Sequence, residues 1–241
     1  MQLTNRNGLK IDLQRVEELM PEVTRRMTTT PRFRFDLTPR QALDLLAAFY
    51  AAEVNSRGRR FIPDDDTSSN LAALATLITA PCPKPGIILC GTVGNGKTTL
   101  MKAFQRCVYY LDASHHFEFL DDKEFDTRYR PDMHIVDVRE ILTSAKSDPK
   151  KFDQLKNRSM LGIDDLGKEP AEIVDYGNIL SPVVDLIEHR YDRQLFTVIT
   201  TNLPPEKIRE KYGDRIADRF NEMVGRIIFR NTTYRTISSP N

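Results

Sequence analysis

The chain has 241 residues, of which 40% are hydrophobic and 29% are charged, as in an ordinary globular protein. Its formal net charge is +1, so no overall field draws it to nucleic acid or membrane, and any DNA contact must come from a local patch. Three cysteines without a CxxC pair disfavour a structural zinc site and suit a reducing cytosol. No stretch reaches the length of a membrane span, so we expect a cytoplasmic protein with no membrane partner.

The first sixty residues are predicted to be mostly helical. The segment IDLQRVEELM places four apolar residues near one helical face: Ile11, Val16, Leu19 and Met20. A second helix is predicted to begin at a Thr38 cap followed by Pro39. The polar, turn-rich connector NSRGRRFIPDDDTSSN comes next. It predicts a boundary near residue 60, between a small helical N-terminal region, 1–60, and a larger domain, 61–241.

From Gly86 onward, strand patterns and helix patterns alternate. The segments GIILC, HIVDV, MLGIDD and QLFTVITTN have the apolar composition of buried strands, and helical patterns separate several of them. This order predicts an α/β domain with a parallel sheet flanked by helices. The segment 112–131 is harder to assign, and FEFL within it is either a strand or a covered loop.

A glycine-rich turn follows the first of these strands. The segment GTVGNGKTT matches G-x-x-x-x-G-K-[ST] and precedes a helical pattern. Glycines let the backbone N–H groups point at phosphates, and the start of the helix adds its positive end. Lys97 is expected to reach the β- and γ-phosphates, and the Thr98 hydroxyl to bind Mg²⁺. The turn is therefore predicted to bind a nucleoside triphosphate through Gly91, Thr92, Val93, Gly94, Asn95, Gly96, Lys97, Thr98 and Thr99.

Two adjacent carboxylates end a later strand. The segment SMLGIDDLG delivers Asp164 and Asp165 to the carboxyl end of that strand, where ligands bind in sheets of this type. Asp164 is predicted to hold Mg²⁺ through water and Asp165 to orient the attacking water. Carboxylates this close repel each other, which is tolerable beside a cation. The alternative is an ordinary strand end with solvated acids.

Polar residues further along the chain could complete a hydrolytic site. Asn202 ends the strand TVITTN and could bond the γ-phosphate or the attacking water, although a turn role is as good a reading. Arg215 and Arg219 are four residues apart and share a helical face. An arginine there could stabilise transition-state charge in a neighbouring subunit. From spacing alone, ion pairing with Asp214 or Asp218 is the favoured reading.

The order of these segments resembles that of the AAA+ ATPases of the bacterial helicase-loader group, the DnaC and IstB type. The resemblance covers about residues 86–235 and is carried by GTVGNGKTTL, LGIDDLGKEP and HRYDRQLFTVITTNLPPEKIREKYGDRIADRF. It implies an ATPase that uses ATP and Mg²⁺, with Walker A at 91–98 and Walker B at Asp164 and Asp165. It further implies that Asn202 is the sensor asparagine.

The same resemblance assigns Arg215 as the arginine finger and Arg219 as a second basic residue of that motif. Two departures from the family pattern affect the expected activity. Most AAA+ proteins have glutamate where Asp165 stands, and the shorter side chain suits slow or partner-dependent hydrolysis. The sequence also leaves no room for a helical lid after residue 235, and we expect none.

Two basic segments are candidates for DNA contact. RRMTTTPRFRF interleaves arginines with Phe33 and Phe35, a pattern suited to stacking on single-stranded bases. A solvated basic loop with one buried phenylalanine is the favoured alternative. The lysine-rich segment ILTSAKSDPKKFDQLKN lies where initiator-like AAA+ proteins carry a helix that faces DNA, and its lysines could neutralise phosphates. A charged, exposed helix is the competing reading.

The family resemblance favours a replicative helicase loader that assembles as a homo-oligomer on ATP and DNA, single-stranded DNA in particular, and binds a ring-shaped helicase. The helices of residues 1–60 are the candidate partner-binding part, and packing on the ATPase core is the equal alternative. A transposon helper ATPase of the IstB type, which assembles on DNA and recruits a transposase, would use the same ATPase domain. An ATP-gated DNA-binding adaptor with negligible turnover is a third reading. A P-loop kinase is disfavoured because no acceptor-site pattern is visible.

Overall fold

A computed structural model describes residues 2–4, 10–26, 32–81, 83–113, 117–119, 132–170, 173–175, 178–231 and 233–234. The chain divides into two compact units, 1–30 and 31–241, and each is described by itself.

The first unit contains a short hairpin and one helix. Strands β1 (Gln2–Thr4) and β2 (Lys10–Asp12) pair antiparallel, and helix α1 (Leu13–Arg26) follows directly. An Asp12 carboxylate oxygen accepts from the N–H of Gln14 at 3.1 Å, so the aspartate satisfies a free donor at the start of the helix. The prediction that Ile11 shares the helical face is therefore wrong, because Ile11 lies in β2.

One face of α1 is apolar and exposed. Four of its residues recur with i, i+3, i+4, i+7 spacing and are 42–52% exposed: Val16, Leu19, Met20 and Val23. Such a stripe normally packs against another surface. The first unit therefore presents an apolar helix face.

The second unit is built on five parallel strands in the order β11-β4-β10-β7-β6. Their bounds are β4 Gly86–Gly91, β6 Met133–Asp137, β7 Met160–Leu166, β10 Phe196–Thr201 and β11 Gly225–Phe229. Two small antiparallel pairs accompany this sheet: β3 Phe33–Phe35 with β5 Phe117–Phe119, and β8 Ile173–Asp175 with β9 Asn178–Leu180. The predicted parallel sheet is confirmed, and FEF is a strand.

Eight helices of the described residues surround the sheet: α2 Pro39–Asn55, α3 Asp65–Ile78, α4 Lys97–Ala113, α5 Val138–Ser147, α6 Pro149–Asn157, α7 Pro182–Asp192, α8 Pro205–Tyr212 and α9 Asp214–Met223. They bury two apolar clusters, each lined by its own set of sheet residues. Phe35, Leu46 and Phe104 lie in one cluster. Ile163 and Leu186 lie in the other. The predicted α/β fold, with a parallel sheet flanked by helices, is confirmed.

Helix α2 belongs to the second unit. Thr38 and Gln41 form a capping box at its start, as the Thr38 and Pro39 signals predict. Leu46 and Tyr50 of this helix are buried in the cluster that also holds Phe104 of α4. Residues 31–60, which the sequence groups with the N-terminal region, thus lie in the compact unit that contains the sheet.

Phe33 and Phe35 do not fit the less favoured interpretation of the sequence, in which they stack on DNA bases. Both rings are buried. The Phe33 ring lies 4.9 Å from that of Phe196, and the Phe35 ring lies 5.7 Å from that of Phe104. The favoured alternative, with a single buried phenylalanine, also differs from this arrangement. Alternation in β3 places both rings on one face, so they share a cluster.

None of the helices in the described part of the chain combines the length and the apolar character needed to cross a membrane.

Candidate nucleotide site

The glycine-rich turn joins β4 to α4, and Lys97 is the first residue of that helix. Gly96 has a φ of +97°, which L side chains rarely adopt. A Cβ on Gly96 would lie 2.5 Å from the Tyr50 hydroxyl oxygen of α2. Glycine at this position is thus required by backbone conformation and by a close neighbour. Val93, at the tip of the turn, is more than half exposed.

The Lys97 ammonium is buried and folded onto the turn. Its Nζ donates to the carbonyl oxygens of Gly91 at 2.8 Å and Thr92 at 2.6 Å, and to Oδ1 of Asn95 at 3.1 Å. Burial lowers the pKa of Lys97 to about 8, with Asp165 as the strongest opposing charge. All three acceptors come from the loop itself. Phosphate oxygens are stronger acceptors for an ammonium, so they can replace these contacts.

Thr98 and Thr99, in the first turn of α4, have different partners. The Thr98 hydroxyl donates to Oδ1 of Asp164 at 2.9 Å. The Thr99 hydroxyl accepts from Arg57 at 3.4 Å, and Arg57 also pairs with the buried Glu53 carboxylate. Thr98 therefore joins the Walker A and Walker B segments, and Thr99 joins the start of α4 to the residues that follow α2.

Thr200 completes a three-residue cluster around Asp164. Its hydroxyl donates to Oδ1 of Asp164 at 2.6 Å and accepts from the N–H of Asp165 at 2.8 Å. The sheet order explains this arrangement, because β10 lies between β4 and β7 and all three strands point the same way. A carboxylate with two hydroxyls beside a phosphate loop is an all-oxygen donor set. Hard oxygen ligands are those that Mg²⁺ prefers, so these residues fit the ion.

Asp165 has a different environment from Asp164. Its φ is +62°, in the left-handed region. Its carboxylate pairs with the ammonium of Lys168, three residues later. The carboxylate predicted to orient water is therefore held by a lysine of its own loop.

The loop after Asp165 is fixed to α8 through the buried residue Glu169. The Glu169 carboxylate accepts from the Tyr212 hydroxyl and, at 2.9 Å, from the N–H of Gly167. Lys211 donates to the carbonyl oxygens of Gly167, at 2.7 Å, and of Glu169. Burial and the carboxylate together raise the pKa of Tyr212 far above its ordinary value. These contacts connect the Walker B loop to the helix that precedes α9.

The remaining predicted residues lie on β10 and α9. Asn202 directly follows β10, and its side chain makes no hydrogen bond to any described residue. Arg215 is 71% exposed and pairs with Glu188 at 3.0 Å. Arg219 is 12% exposed and contacts Glu188 at 3.0 Å, Asp192 at 3.5 Å and the Tyr191 ring at 4.8 Å. The predicted ion pairing of these arginines with Asp214 or Asp218 is not observed, since Arg209 pairs with both aspartates.

Sequence reasoning missed several residues of this region. Thr200 stands two positions before the predicted sensor, in the motif TVITTN, and that hydroxyl beside a strand end is a signal that could have identified it. Glu169 follows Walker B closely, but nothing in its position predicts burial. Asn231 and Tyr234, which follow β11, bond the backbone of the turn at Asn95 and Gly94. No local pattern predicts that contact.

The lysine-rich segment forms α5 and α6. Lys151 pairs with Glu140 at 2.7 Å, and Lys156 pairs with Asp185 at 3.2 Å. Both ammonium groups thus have carboxylate partners, which fits the reading of a charged helical surface.

No family model and no curated protein matches the chain. Solved structures do match. The DnaC helicase loader has 17% identity and a TM-score of 0.51, with 76% of this chain and 99% of that chain covered. DnaI has 20% identity and a TM-score of 0.45 over 70% and 87% of the two chains. AMPPCP-bound DnaA from Aquifex aeolicus has 17% identity and a TM-score of 0.45 over 69% and 48%. The chain therefore has the fold of the DnaC helicase loader, which agrees with the family resemblance of the sequence.

Proposed function

We propose that this protein binds and hydrolyses ATP and acts on DNA as a replicative helicase loader. The observation that carries the ATPase part is the convergence of Thr98, Asp164 and Thr200 beside the P-loop. Oxygen-bearing side chains from the start of α4, from β7 and from β10 meet where the triphosphate and its metal would bind. A solvated strand end would not need a buried threonine to hold its carboxylate.

Each residue of the site has a distinct task in this proposal. Lys97 exchanges its loop carbonyls for the β- and γ-phosphate oxygens. Thr98 and Asp164 would hold Mg²⁺, which when bound neutralises charge on the phosphates. Asp165 orients water once its carboxylate is released from Lys168. Asn202, whose side chain makes no hydrogen bond to the described residues, is available to the γ-phosphate or that water.

Exposure supports Arg215 over Arg219 as the residue that acts in trans. Arg215 is 71% exposed and has one ion pair, so its guanidinium can leave Glu188 for a neighbouring subunit at small cost. Arg219 is held by two carboxylates and an aromatic ring. We assign Arg219 to positioning of the Glu188 carboxylate and of α9.

Binding and turnover measurements on variants test the ATPase proposal. Lys97→Ala should abolish ATP binding. Arg215→Ala should leave ATP binding intact and lose the turnover that DNA or assembly stimulates. Arg193→Ala, at the exposed end of α7, is the matched control and should behave as the parent protein does. Unchanged DNA-stimulated turnover in Arg215→Ala would show that the arginine finger is assigned wrongly.

The proposed helicase contact rests on α1. Its exposed apolar stripe has the spacing of a helix that lies in a partner's hydrophobic groove. Leu19→Asp, in the full chain, should therefore prevent co-elution with the ring helicase of the same host in ATP and Mg²⁺. Gln14→Asp adds the same charge on the opposite face of α1 and should leave co-elution intact. Absence of helicase binding by the parent protein, with filaments on double-stranded DNA, would favour the transposon helper instead.

The ion pair between Lys168 and Asp165 favours a second candidate, the ATP-gated DNA-binding adaptor. A catalytic carboxylate that stays paired with lysine cannot orient water, so the protein would bind ATP with negligible turnover. Turnover measured with and without single-stranded DNA separates the two functions. Stimulation by DNA supports the ATPase, whereas ATP-dependent DNA binding without turnover in either condition supports the adaptor.

A further inference from the structure

Two residues that follow β11 bind the backbone of the Walker A turn. Nδ2 of Asn231 donates to the carbonyl oxygen of Asn95 at 2.9 Å, and the N–H of Tyr234 donates to the carbonyl oxygen of Gly94 at 3.0 Å. Asn231 is buried. We call Asn231 and Tyr234 the strap residues. They come from a part of the sequence about 135 residues away, so these are tertiary contacts and not features of the loop itself.

The Tyr234 side chain is anchored on its far side. Its hydroxyl donates to Oδ2 of Asp64 at 2.7 Å and lies 2.8 Å from the Thr67 hydroxyl. The other Asp64 oxygen accepts from the Thr67 N–H at 2.7 Å and caps α3. The strap is thereby tied to the start of a helix that is itself packed in the core. The Tyr234 ring also lies 3.7 Å from the place where a Cβ on Gly96 would be.

The strap contacts are made to backbone carbonyl groups of the loop, whereas a phosphate binds the N–H groups. A phosphate cradle works by turning successive N–H groups inward, which leaves the carbonyl groups pointing away and in need of partners. Lys97 donates to the carbonyl oxygens of Gly91 and Thr92. The strap residues donate to the carbonyl oxygens of Gly94 and Asn95. The second pair of contacts can persist when Lys97 turns to a nucleotide.

We propose that Asn231 and Tyr234 are positioning residues that hold the Walker A turn in its phosphate-binding form. The proposal rests on the proposed binding of ATP at that turn. By thermodynamic linkage, a strap that favours the binding-competent loop must in turn be stabilised by the nucleotide, by the same factor. The strap residues and the nucleotide therefore stabilise each other across the loop backbone.

Two variants remove different parts of the strap. Tyr234→Phe keeps the ring and the backbone N–H but loses the anchor on Asp64 and Thr67. Asn231→Ala loses the bond to Asn95. Each change removes hydrogen bonds of ordinary strength, so we expect ADP or ATP affinity to fall about three- to tenfold in each. Tyr110→Phe, which alters an exposed tyrosine on α4, is the matched control and should leave affinity unchanged.

Hydrogen exchange of the nucleotide-free protein tests the strap without reference to binding. The amides of residues 91–96 should exchange faster in both strap variants than in the parent protein and in Tyr110→Phe, while the amides of β7 and β10 stay protected. If amides throughout Asn231→Ala lose protection, that variant is unfolded. The result for Tyr234→Phe, the milder change, then tests the proposal. Unchanged exchange at 91–96 in a folded variant would overturn the proposal.

A fluorescent reporter tests the reverse direction. The chain contains no tryptophan, so Tyr234→Trp introduces a single tryptophan beside Gly96, which can be excited selectively over the tyrosines. Addition of ADP should change its emission along a saturation curve that matches the calorimetric Kd of the same variant. An emission that stays constant while calorimetry shows binding would overturn the proposal. If neither the parent protein nor any variant binds nucleotide, the proposed function fails, and the exchange experiment still judges the strap.

Discussion

Nucleotide affinity should depend on pH through a single lysine. Burial lowers the pKa of Lys97 to about 8, whereas phosphates beside the ammonium would favour its charged form. Binding near pH 9 must therefore be accompanied by proton uptake. Raising the pH from 7 to 9.5 leaves about 3% of the Lys97 side chains charged, so Kd for ADP should rise about thirtyfold, equivalent to about 2 kcal/mol. An ordinary exposed lysine, with a pKa near 10.4, would change Kd by only about 10%.

Calorimetry measures both parts of this prediction. ADP is mostly ionised at pH 7 and fully ionised above about pH 7.5, and it is not hydrolysed, so its own titration changes Kd little over this range. Titrations without added metal, at half-unit steps from pH 7 to 9.5, give Kd. Pairs of buffers with different ionisation enthalpies at pH 9 give the number of protons taken up, which should approach one. A Kd that stays constant across this range, with no proton uptake, would refute the buried-lysine argument.

The same lysine affects stability in the opposite direction. Between about pH 8 and 10.5 the unfolded chain keeps the Lys97 proton and the folded chain has released it. The unfolded state then binds more protons, so this group makes the free energy of unfolding rise with pH. Bound ADP favours the charged form of Lys97, so it removes this difference in bound protons between the folded and unfolded states. The increase in melting temperature given by a fixed ADP concentration should therefore shrink as pH rises from 8 to 9.5.

Changes at four further positions probe the cluster, the Walker B loop and the core. Thr200→Val should lower ATPase turnover about tenfold or more by removing the hydroxyl that positions Asp164, whereas Thr200→Ser should retain most of it. Glu169→Ala should lower the free energy of unfolding by about 2–5 kcal/mol in denaturant titrations, because it strands buried donors, and Glu169→Gln should cost much less. Lys168→Ala should raise the basal turnover measured without DNA, and a decrease would show that this lysine assists the reaction. Leu46→Ala should cost about 2–5 kcal/mol, since α2 is part of the core.

Local patterns in the sequence predicted the parallel sheet and the turn well. Buried strands such as β4 and β10 carry near-continuous apolar runs, and the P-loop motif contains its own reason for each residue type. Helix α2 was predicted from its cap and first-turn proline, which are local signals. Its partner was not predicted, because the apolar face of an amphipathic helix looks the same whether it packs on its own domain or on another protein.

The contacts that sequence reasoning missed join residues far apart in the chain. Thr200 reaches Asp164 only because β10 is inserted between the two strands that end in Walker A and Walker B. Tyr234 reaches Gly94 because β11 pairs with β4 in parallel and so ends beside the turn. Strand order is set by the whole packed sheet, and neither residue type nor spacing encodes it.

The surroundings of Asp165, like its short side chain, suit slow hydrolysis. Asp165 lies in the left-handed region, and Lys168 closes on it through a loop held to α8 by Glu169. Arg209 of α8 in turn pairs with two acids of α9, the helix that carries Arg215. Lys168 therefore belongs to a loop whose anchor leads, contact by contact, to the arginine proposed to act in trans. Under the proposed function, we therefore expect slow ATP hydrolysis by the protein alone and faster hydrolysis when a neighbour engages α9.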